Sequence, residues 1–298
     1  MRARRDILIG LGVAALAAAA SAGHAKTVAA SVFGGATFRK AIAAVEASAR
    51  GRLGVAVMDT GSGARFAWRG DERFAFCSTF KFLLAAAVLD RVDRGQDSLD
   101  RRVPIAASDL LSNSPITEKN VGPQGLSVAA MCEAAITHSD NAAANLLLPS
   151  VGGPAGLTRY VRNLGDPSFR LDHIEPALND VKPGQLPNTT TPRAMLGDMD
   201  RILLGTALSP GSRTRITGWL EANRTGDKRL RAGVPKDWRV GDKTGTWDAG
   251  TSNDLAIFWP PGRRPVLVVA FLMAPGTSGE RRDAALAAVG RAVAEAVR

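Results

Sequence analysis

Cys77-Ser78-Thr79-Phe80-Lys81-Phe82-Leu83-Leu84-Ala85-Ala86-Ala87-Val88-Leu89 sets a serine three residues before a lysine, then runs on without a polar residue. A helix that is apolar on every side is a buried helix. Asp90, Arg91, Asp93 and Arg94 make its last turn, and Gly95 supplies the stop. Ser78 then falls at the N-terminus of a buried helix, with Lys81 one turn further on the same face. Packing gives no reason for a lysine there. Chemistry gives one, because a desolvated amine loses its proton more readily and can activate a hydroxyl. S-x-x-K also arises by chance, so its weight depends on what lies downstream.

On either side of this helix the patterning changes. Phe38, Ile42, Val45 and Ala49 recur at helical spacing, which predicts a helix over 36–50. Arg52 to Thr60 reads as a strand, and the turn Thr60-Gly61-Ser62-Gly63 leads into a second strand, Ala64 to Trp68. For roughly 140 residues after Ser78 the composition is helical, broken by Pro and Gly loops. Sheet signals return at Arg239 to Lys243, Asn253 to Trp259 and Pro265 to Met273, and Leu286, Val289, Val293 and Val297 mark one face of a last helix. The predicted fold is α/β in the α+β sense and two-domain. An antiparallel sheet is covered by the N- and C-terminal helices, with an all-helical domain inserted in the middle. The expected division is 26–70 plus 224–298 for the sheet domain and 71–223 for the helical one.

Residues 1–25 read as an export signal: Arg2, Arg4 and Arg5, then the apolar run Ile7 to Ala20, then small residues offering cleavage near Ala22 or Ala25. Arg4-Arg5-Asp6-Ile7-Leu8 fits a twin-arginine signal, and an ordinary secretory signal fits as well. The expected location is periplasmic or secreted. No later stretch is long enough to span a membrane, so no stable membrane association is expected. The chain is basic, +10 from 38 Lys and Arg against 28 acids. Its arginines are scattered and it has only one Tyr, which argues against nucleic acid and suits an anionic small substrate. With no C-x-x-C or H-x-x-x-H spacing, neither a metal nor a cofactor is expected.

Three further stretches carry chemistry. His138-Ser139-Asp140-Asn141 follows a helix predicted over Leu126 to Thr137. Ser-Asp-Asn is a capping cluster; equally, Ser139 offers a hydroxyl able to pass a proton and Asn141 an amide for a substrate carbonyl. Lys243-Thr244-Gly245-Thr246 ends a predicted strand. It suits an edge that receives an anionic substrate, Gly245 allowing close approach; it also fits a solvated strand end. Glu175-Pro176-Ala177-Leu178-Asn179 lies in a long irregular stretch. Loops of that length inside a compact domain are usually functional, and a spacing of four lets one short turn aim Glu175 and Asn179 at a single water.

S-x-x-K, then S-D-N, then K-T-G, in this order, resembles the serine β-lactamases of class A over the whole chain after the signal. The Glu175 to Asn179 element separates it from penicillin-binding proteins, which share the three motifs. The resemblance implies a β-lactamase/transpeptidase-like fold, no metal, and a small-molecule β-lactam as partner of a monomer. It implies hydrolysis of penicillins and cephalosporins through an acyl-enzyme on Ser78, giving antibiotic resistance. Lys81 and Glu175 are then the candidate bases, and Asn179 holds the hydrolytic water with Glu175. Ser139 is the proton donor to the leaving nitrogen. The backbone N–H groups of Ser78 and Thr246 make the oxyanion hole. Asn141 holds the substrate's side-chain amide, and Lys243, Thr244, Gly245 and Thr246 face its carboxylate, with Arg229 as the matching arginine. Arg229, Thr246 and Cys77 together look like the subgroup that includes carbapenem-hydrolysing enzymes.

Departures from the family pattern accompany it. Asn113 stands where many members have an aromatic residue, which removes a stacking surface. His173 and Asn188 replace an Arg–Asp pair at the neck of the Glu175 loop, so a looser loop is expected. Trp247 and Ala85 occupy the positions that would pair with Cys77 and Cys132, so both cysteines are expected as free thiols. A D,D-peptidase and a β-lactam sensor share the motifs, but Glu175 argues against both. A Ser-His-Asp hydrolase lacks its G-x-S-x-G elbow here.

Overall fold

The computed structural model describes Phe33, residues 35–182 and residues 184–298. The predicted export signal lies outside the described residues. Among them, no helix is long and apolar enough to cross a membrane.

Helix α1 (Ala36–Ala49) leads into β1 (Arg52–Asp59) and β2 (Arg65–Trp68). A short β3 (Phe74–Ala75) and a 3-10 turn, Cys77–Thr79, precede α2 (Phe80–Asp93). The middle then runs through β4 (Arg102–Ile105), β5 (Gly122–Ser127), α3 (Val128–Thr137), α4 (Asn141–Leu147), α5 (Gly153–Asn163), β6 (Thr189–Thr190), α6 (Pro192–Leu203) and α7 (Pro210–Glu221). It closes with β7 (Arg239–Trp247), β8 (Thr251–Trp259), β9 (Val266–Met273) and α8 (Gly279–Val297).

Five strands form one antiparallel sheet in the order β2-β1-β9-β8-β7. Alternate residues of its strands feed two cores, as the two-residue repeat of a strand requires. Leu267, Val269 and Phe271 of β9 face the helical side, with Leu255 and Ile257 of β8. Val266, Val268, Ala270 and Leu272 face α1 and α8. Both faces are covered, which is why β1 and β9 read as unbroken apolar runs. The predicted α+β, two-domain architecture is thus the observed one.

Helix α2 is the hub of the helical side. Phe82 to Leu89 are all essentially inaccessible to solvent, and each fully buried Leu, Val or Phe side chain contributes about 1.5–3 kcal/mol. The helix stops as expected. Gly95 takes φ 69°, and its N–H and that of Gln96 return to the carbonyls of Val92 and Arg91.

Three expectations need correction. The middle is not purely helical, since β4 pairs with β5 and β3 with β6. The helix predicted from Leu126 begins at Val128, because Leu126 and Ser127 finish β5 and Ser127 Oγ accepts the Ala130 N–H at 3.2 Å as the cap. The strand carrying Lys243 does not end there. It continues to Trp247, so Lys243 is a fully buried mid-strand residue and not a solvated strand end.

Candidate active site

Ser78 sits in the 3-10 turn ahead of α2 rather than inside the helix. Cys77 before it adopts φ 47°, a left-handed conformation that costs a non-glycine residue on the order of 1–3 kcal/mol and re-aims the chain. Gly245 lets β7 lie against this turn. A Cβ at that position would fall 2.6 Å from the Phe76 carbonyl oxygen and 3.2 Å from Cys77 Cβ. Asn253 of β8 locks the same segment, its Nδ2 donating to Ala75 O at 2.8 Å and Phe76 O at 3.0 Å.

The turn and β7 form one wall of a cleft of about 320 Å³ that brings together Ser78, Ser139, Asn141, Glu175, Asn179, Thr244 and Thr246. Ser78 Oγ donates to Glu175 Oε1 at 2.9 Å, and Lys81 Nζ lies 3.1 Å from the same oxygen. Asn179 Nδ2 donates to Glu175 Oε2 at 2.7 Å, so one short turn does aim the two residues at one place. Lys81 Nζ also donates to Asn141 Oδ1 at 2.5 Å, Ser139 O at 2.7 Å and Ser139 Oγ at 3.4 Å. Lys243 Nζ reaches Ser139 Oγ from the far side at 3.0 Å. The Ser139 hydroxyl therefore lies between two buried amines.

Burial is the largest influence on both amines and pulls both pKa values down. For Lys81 the attraction of Glu175 works against it; for Lys243 the repulsion of Lys81 adds to it. Asp242, beneath Lys243, is pushed up by burial against the pull of Arg231, and accepts from Asn223 Nδ2 at 2.5 Å and from the Arg231 guanidinium.

The residues of Ser-Asp-Asn divide between the helix cap and the cleft. Asp140 is the cap, accepting Ala143 N–H at 2.9 Å and binding Thr117 through its backbone and hydroxyl. Ser139, at φ 56°, and Asn141 turn their side chains into the cleft. Arg229 lies behind β7 and outside the cleft lining. Its guanidinium binds Asp283 at 2.7 Å, Gly245 O and Asn253 O at 2.9 Å, and Thr246 Oγ1 at 2.7 Å. It reaches the cleft only through Thr246.

The neck of the Glu175 loop is tied, contrary to the expectation of looseness. Asn188 Oδ1 accepts the N–H groups of Asp172 and His173 at 2.9 and 3.1 Å, and Asn188 Nδ2 lies 2.9 Å from His173 Nδ1. Cys77 and Cys132 are buried free thiols, as expected. Asn113, at φ 58°, gives its amide to Ser139 O at 2.9 Å and lines the cleft as a polar residue.

Sequence reasoning missed several supporting residues. Asn145 brackets Glu175, Oδ1 accepting its N–H at 3.0 Å and Nδ2 donating to its carbonyl at 2.9 Å. Its position one helical turn after Asn141 was the available signal. Thr225 Oγ1, 2.5 Å from Thr244 Oγ1, gave none. Among the described residues no group of His, Cys, Asp and Glu is placed to hold a metal ion.

The family model of the "beta-lactamase enzyme family" matches residues 37–297. The carbapenem-hydrolyzing β-lactamase KPC of Klebsiella oxytoca is 46% identical over 246 residues, 82% of this chain and 84% of that protein. β-Lactamase CTX-M-8 of Citrobacter amalonaticus is 44% identical over 254 residues, 85% and 87% of the two chains. Among solved structures, an ancestral class A β-lactamase superposes with a TM-score of 0.85 at 57% identity, covering 87% of this chain and 99% of that one. A β-lactamase from Xanthomonas campestris pv. campestris gives 0.87 at 49% identity, covering 91% and 100%.

Proposed function

The chain belongs to the class A β-lactamases, serine hydrolases that open β-lactams and confer resistance to them, and from that premise we propose a mechanism through an acyl-enzyme on Ser78. The observation that carries it is the hydrogen bond from Ser78 Oγ to Glu175 Oε1, an oxygen shared with Lys81 Nζ.

In acylation, Ser78 Oγ attacks the lactam carbonyl carbon and gives its proton to Glu175, the group it is bonded to, with Lys81 as the second base. The backbone N–H groups of Ser78 and Thr246 hold the oxyanion. The ring C–N bond breaks, and the nitrogen takes a proton from Ser139 Oγ, resupplied by Lys81; Lys81 recovers it from Glu175 across their 3.1 Å contact, which returns Glu175 to the carboxylate, while Lys243 donates to the same hydroxyl from the far side. In deacylation a water held by Glu175 and Asn179 attacks the ester carbon. Glu175 takes its proton and returns it to Ser78 Oγ as that oxygen leaves, which restores the free enzyme. Lys243, Thr244 and Thr246 receive the substrate carboxylate, Gly245 giving the strand its close approach and Arg229 acting behind Thr246. Asn141 receives the side-chain amide.

Penicillins and cephalosporins are the proposed substrates. The name of the KPC relative supports including carbapenems. The protein acts as a periplasmic or secreted monomer after loss of its signal, and its domains divide at 70/71 and 223/224. Turnover of a chromogenic cephalosporin by purified protein tests the core of the reading. Stoichiometric acylation without turnover would move it to a peptidase or a sensor.

A further inference from the structure

Asp166 and Asp198 meet in the interior, away from the cleft. Asp198, on α6, is fully buried, and Asp166, just after α5, is 2% exposed. Asp166 Oδ1 accepts the N–H groups of Ser168 at 2.5 Å and Phe169 at 3.1 Å, the pattern of a carboxylate holding a turn. Asp166 Oδ2 and both oxygens of Asp198 are buried, and among the described residues no N–H or O–H reaches them. Arg201 is 3.8 Å from Asp198 Oδ1, beyond a hydrogen bond, and its side chain is 45% exposed. A Cβ on Gly165, next to Asp166, would fall 3.3 Å from Arg201 Nη2, so the Asp166 turn lies against the turn of α6 that carries Asp198.

Two carboxylates cannot share such a site with both charged. Asp166 already accepts two N–H groups and Asp198 accepts none, which puts the proton on Asp198. We propose that Asp198 is a neutral acid that donates to Asp166 Oδ2, and that this bond makes Asp198 a positioning residue for the loop carrying Glu175. The path to the site is short. The Asp166 turn fixes Phe169, whose ring stacks on Phe76 with centroids 5.0 Å apart, and Phe76 immediately precedes Cys77 and Ser78. From Phe169 the chain runs through Arg170, bridged to Thr189, into the Glu175 loop.

The surroundings are consistent with a neutral group. Strands β1 and β9, packed on α6, contribute apolar side chains to the core on that side, and α7, also packed on α6, carries Arg213, Arg215 and Glu221. Tyr160 of α5 is a nearby titratable group, its buried hydroxyl raised first by burial and then by Asp90, with Arg94 and Asp93 at the end of α2 also acting on it. Burial first, then Asp166, holds the Asp198 proton well above the usual carboxylate range, against the pull of Arg201. In the unfolded chain Asp198 ionises near ~3.9. Between these values the folded state binds the extra proton. The contribution is therefore fully present below the unfolded value and is lost as pH rises through the folded one.

Asp198→Asn tests this, since an amide keeps the shape and the donor but does not titrate. The parent should show an infrared C=O band of a protonated carboxyl at neutral pH that the variant lacks. The parent's Tm should fall relative to the variant's as pH rises, by about 2–4 °C per unit within the window. A parent without that band, or Tm curves that stay parallel, overturns the shared proton. Asp166→Asn, read by the same band, serves if Asp198→Asn does not fold. The positioning half rests on the β-lactamase reading and has its own readout, kcat at each pH relative to each protein's value near pH 6. A parent-to-variant ratio that falls with pH supports it. A constant ratio beside the expected band and Tm behaviour overturns positioning alone, whereas no turnover by the parent at any pH overturns the enzymatic reading.

Discussion

Ser78 Oγ and Glu175 Oε1 are 2.9 Å apart, although 97 residues of chain separate them. The contact depends on two independent constructions. One is the left-handed Cys77 that lifts Ser78 out of the start of α2. The other is the Asn145 bracket, which holds the Glu175 backbone from α4 through both its N–H and its carbonyl. A side chain bracketed in this way loses little entropy on being held in one working geometry.

The depressed pKa of Lys243 predicts a pH dependence of binding. Below its folded pKa the amine is charged and attracts a substrate carboxylate; above it the attraction is gone. Because burial and Lys81 lower that pKa, KM should begin to rise at a pH below the ~10.4 of a free lysine. Lys243→Arg stays charged throughout and should show no such limb, whatever its absolute KM. KM measured from about pH 6 to about pH 10 decides it. A limb of the same midpoint in both proteins excludes Lys243 as its source.

Arg229 shows where sequence reasoning stops. The family resemblance implies a cation against the substrate carboxylate, but the structure sets it behind β7 with its guanidinium engaged by Asp283, two carbonyls and Thr246. Arg229→Ala removes the orienting bond on Thr246 and leaves Asp283 without its partner. Loss of a charged hydrogen bond costs about 1.5–3 kcal/mol, so kcat/KM should drop by roughly tenfold to over a hundredfold, mainly through KM. Unchanged kcat/KM for several β-lactams would remove Arg229 from the site.

The cysteines give a prediction about accessibility. Cys77 and Cys132 are fully buried, and burial pushes both thiols up, so neither presents a thiolate. Native protein should resist alkylation, and denatured, unreduced protein should take two labels by mass spectrometry. Two labels on the native protein would contradict the burial; none on the denatured protein would reveal a disulfide.

The sheet strands, the buried α2 and the three motifs were legible because each rests on a period or a spacing that the sequence carries directly. β4 and β5 were not: Arg102 to Ile105 alternates but is only four residues long and contains Pro104, Gly122 to Ser127 has no clean alternation, and Gly122-Pro123 reads as a turn. The extension of β7 to Trp247 was hidden because Lys243, Thr244 and Thr246 are polar and leave this end of the strand without an apolar pattern. The left-handed Cys77, Asn113 and Ser139 leave no mark on composition, because tertiary contacts impose them on residues other than glycine. Replacing Arg–Asp by His173 and Asn188 reads as a lost ion pair, yet Asn188 alone makes three of the hydrogen bonds that close the neck.

The decisive variant is Glu175→Gln. Hydrolysis of the ester on Ser78 needs a base for the attacking water. Ser78 is itself esterified at that stage, and the proposed water is held by Glu175 and Asn179, not by Lys81. Glutamine keeps the shape, and its Oε1 can still accept from Asn179 Nδ2, but the base is gone. Removing a general base typically costs about 10²–10⁴-fold. Acylation keeps a second route through Lys81, so the loss should fall mainly on deacylation, and a penicilloyl adduct should accumulate on Ser78 and persist for minutes. Intact-protein mass spectrometry after mixing with benzylpenicillin measures the added mass, and peptide mapping places it. Turnover at the parent rate with no adduct would exclude Glu175 as the base. An adduct on another residue would exclude Ser78 as the nucleophile.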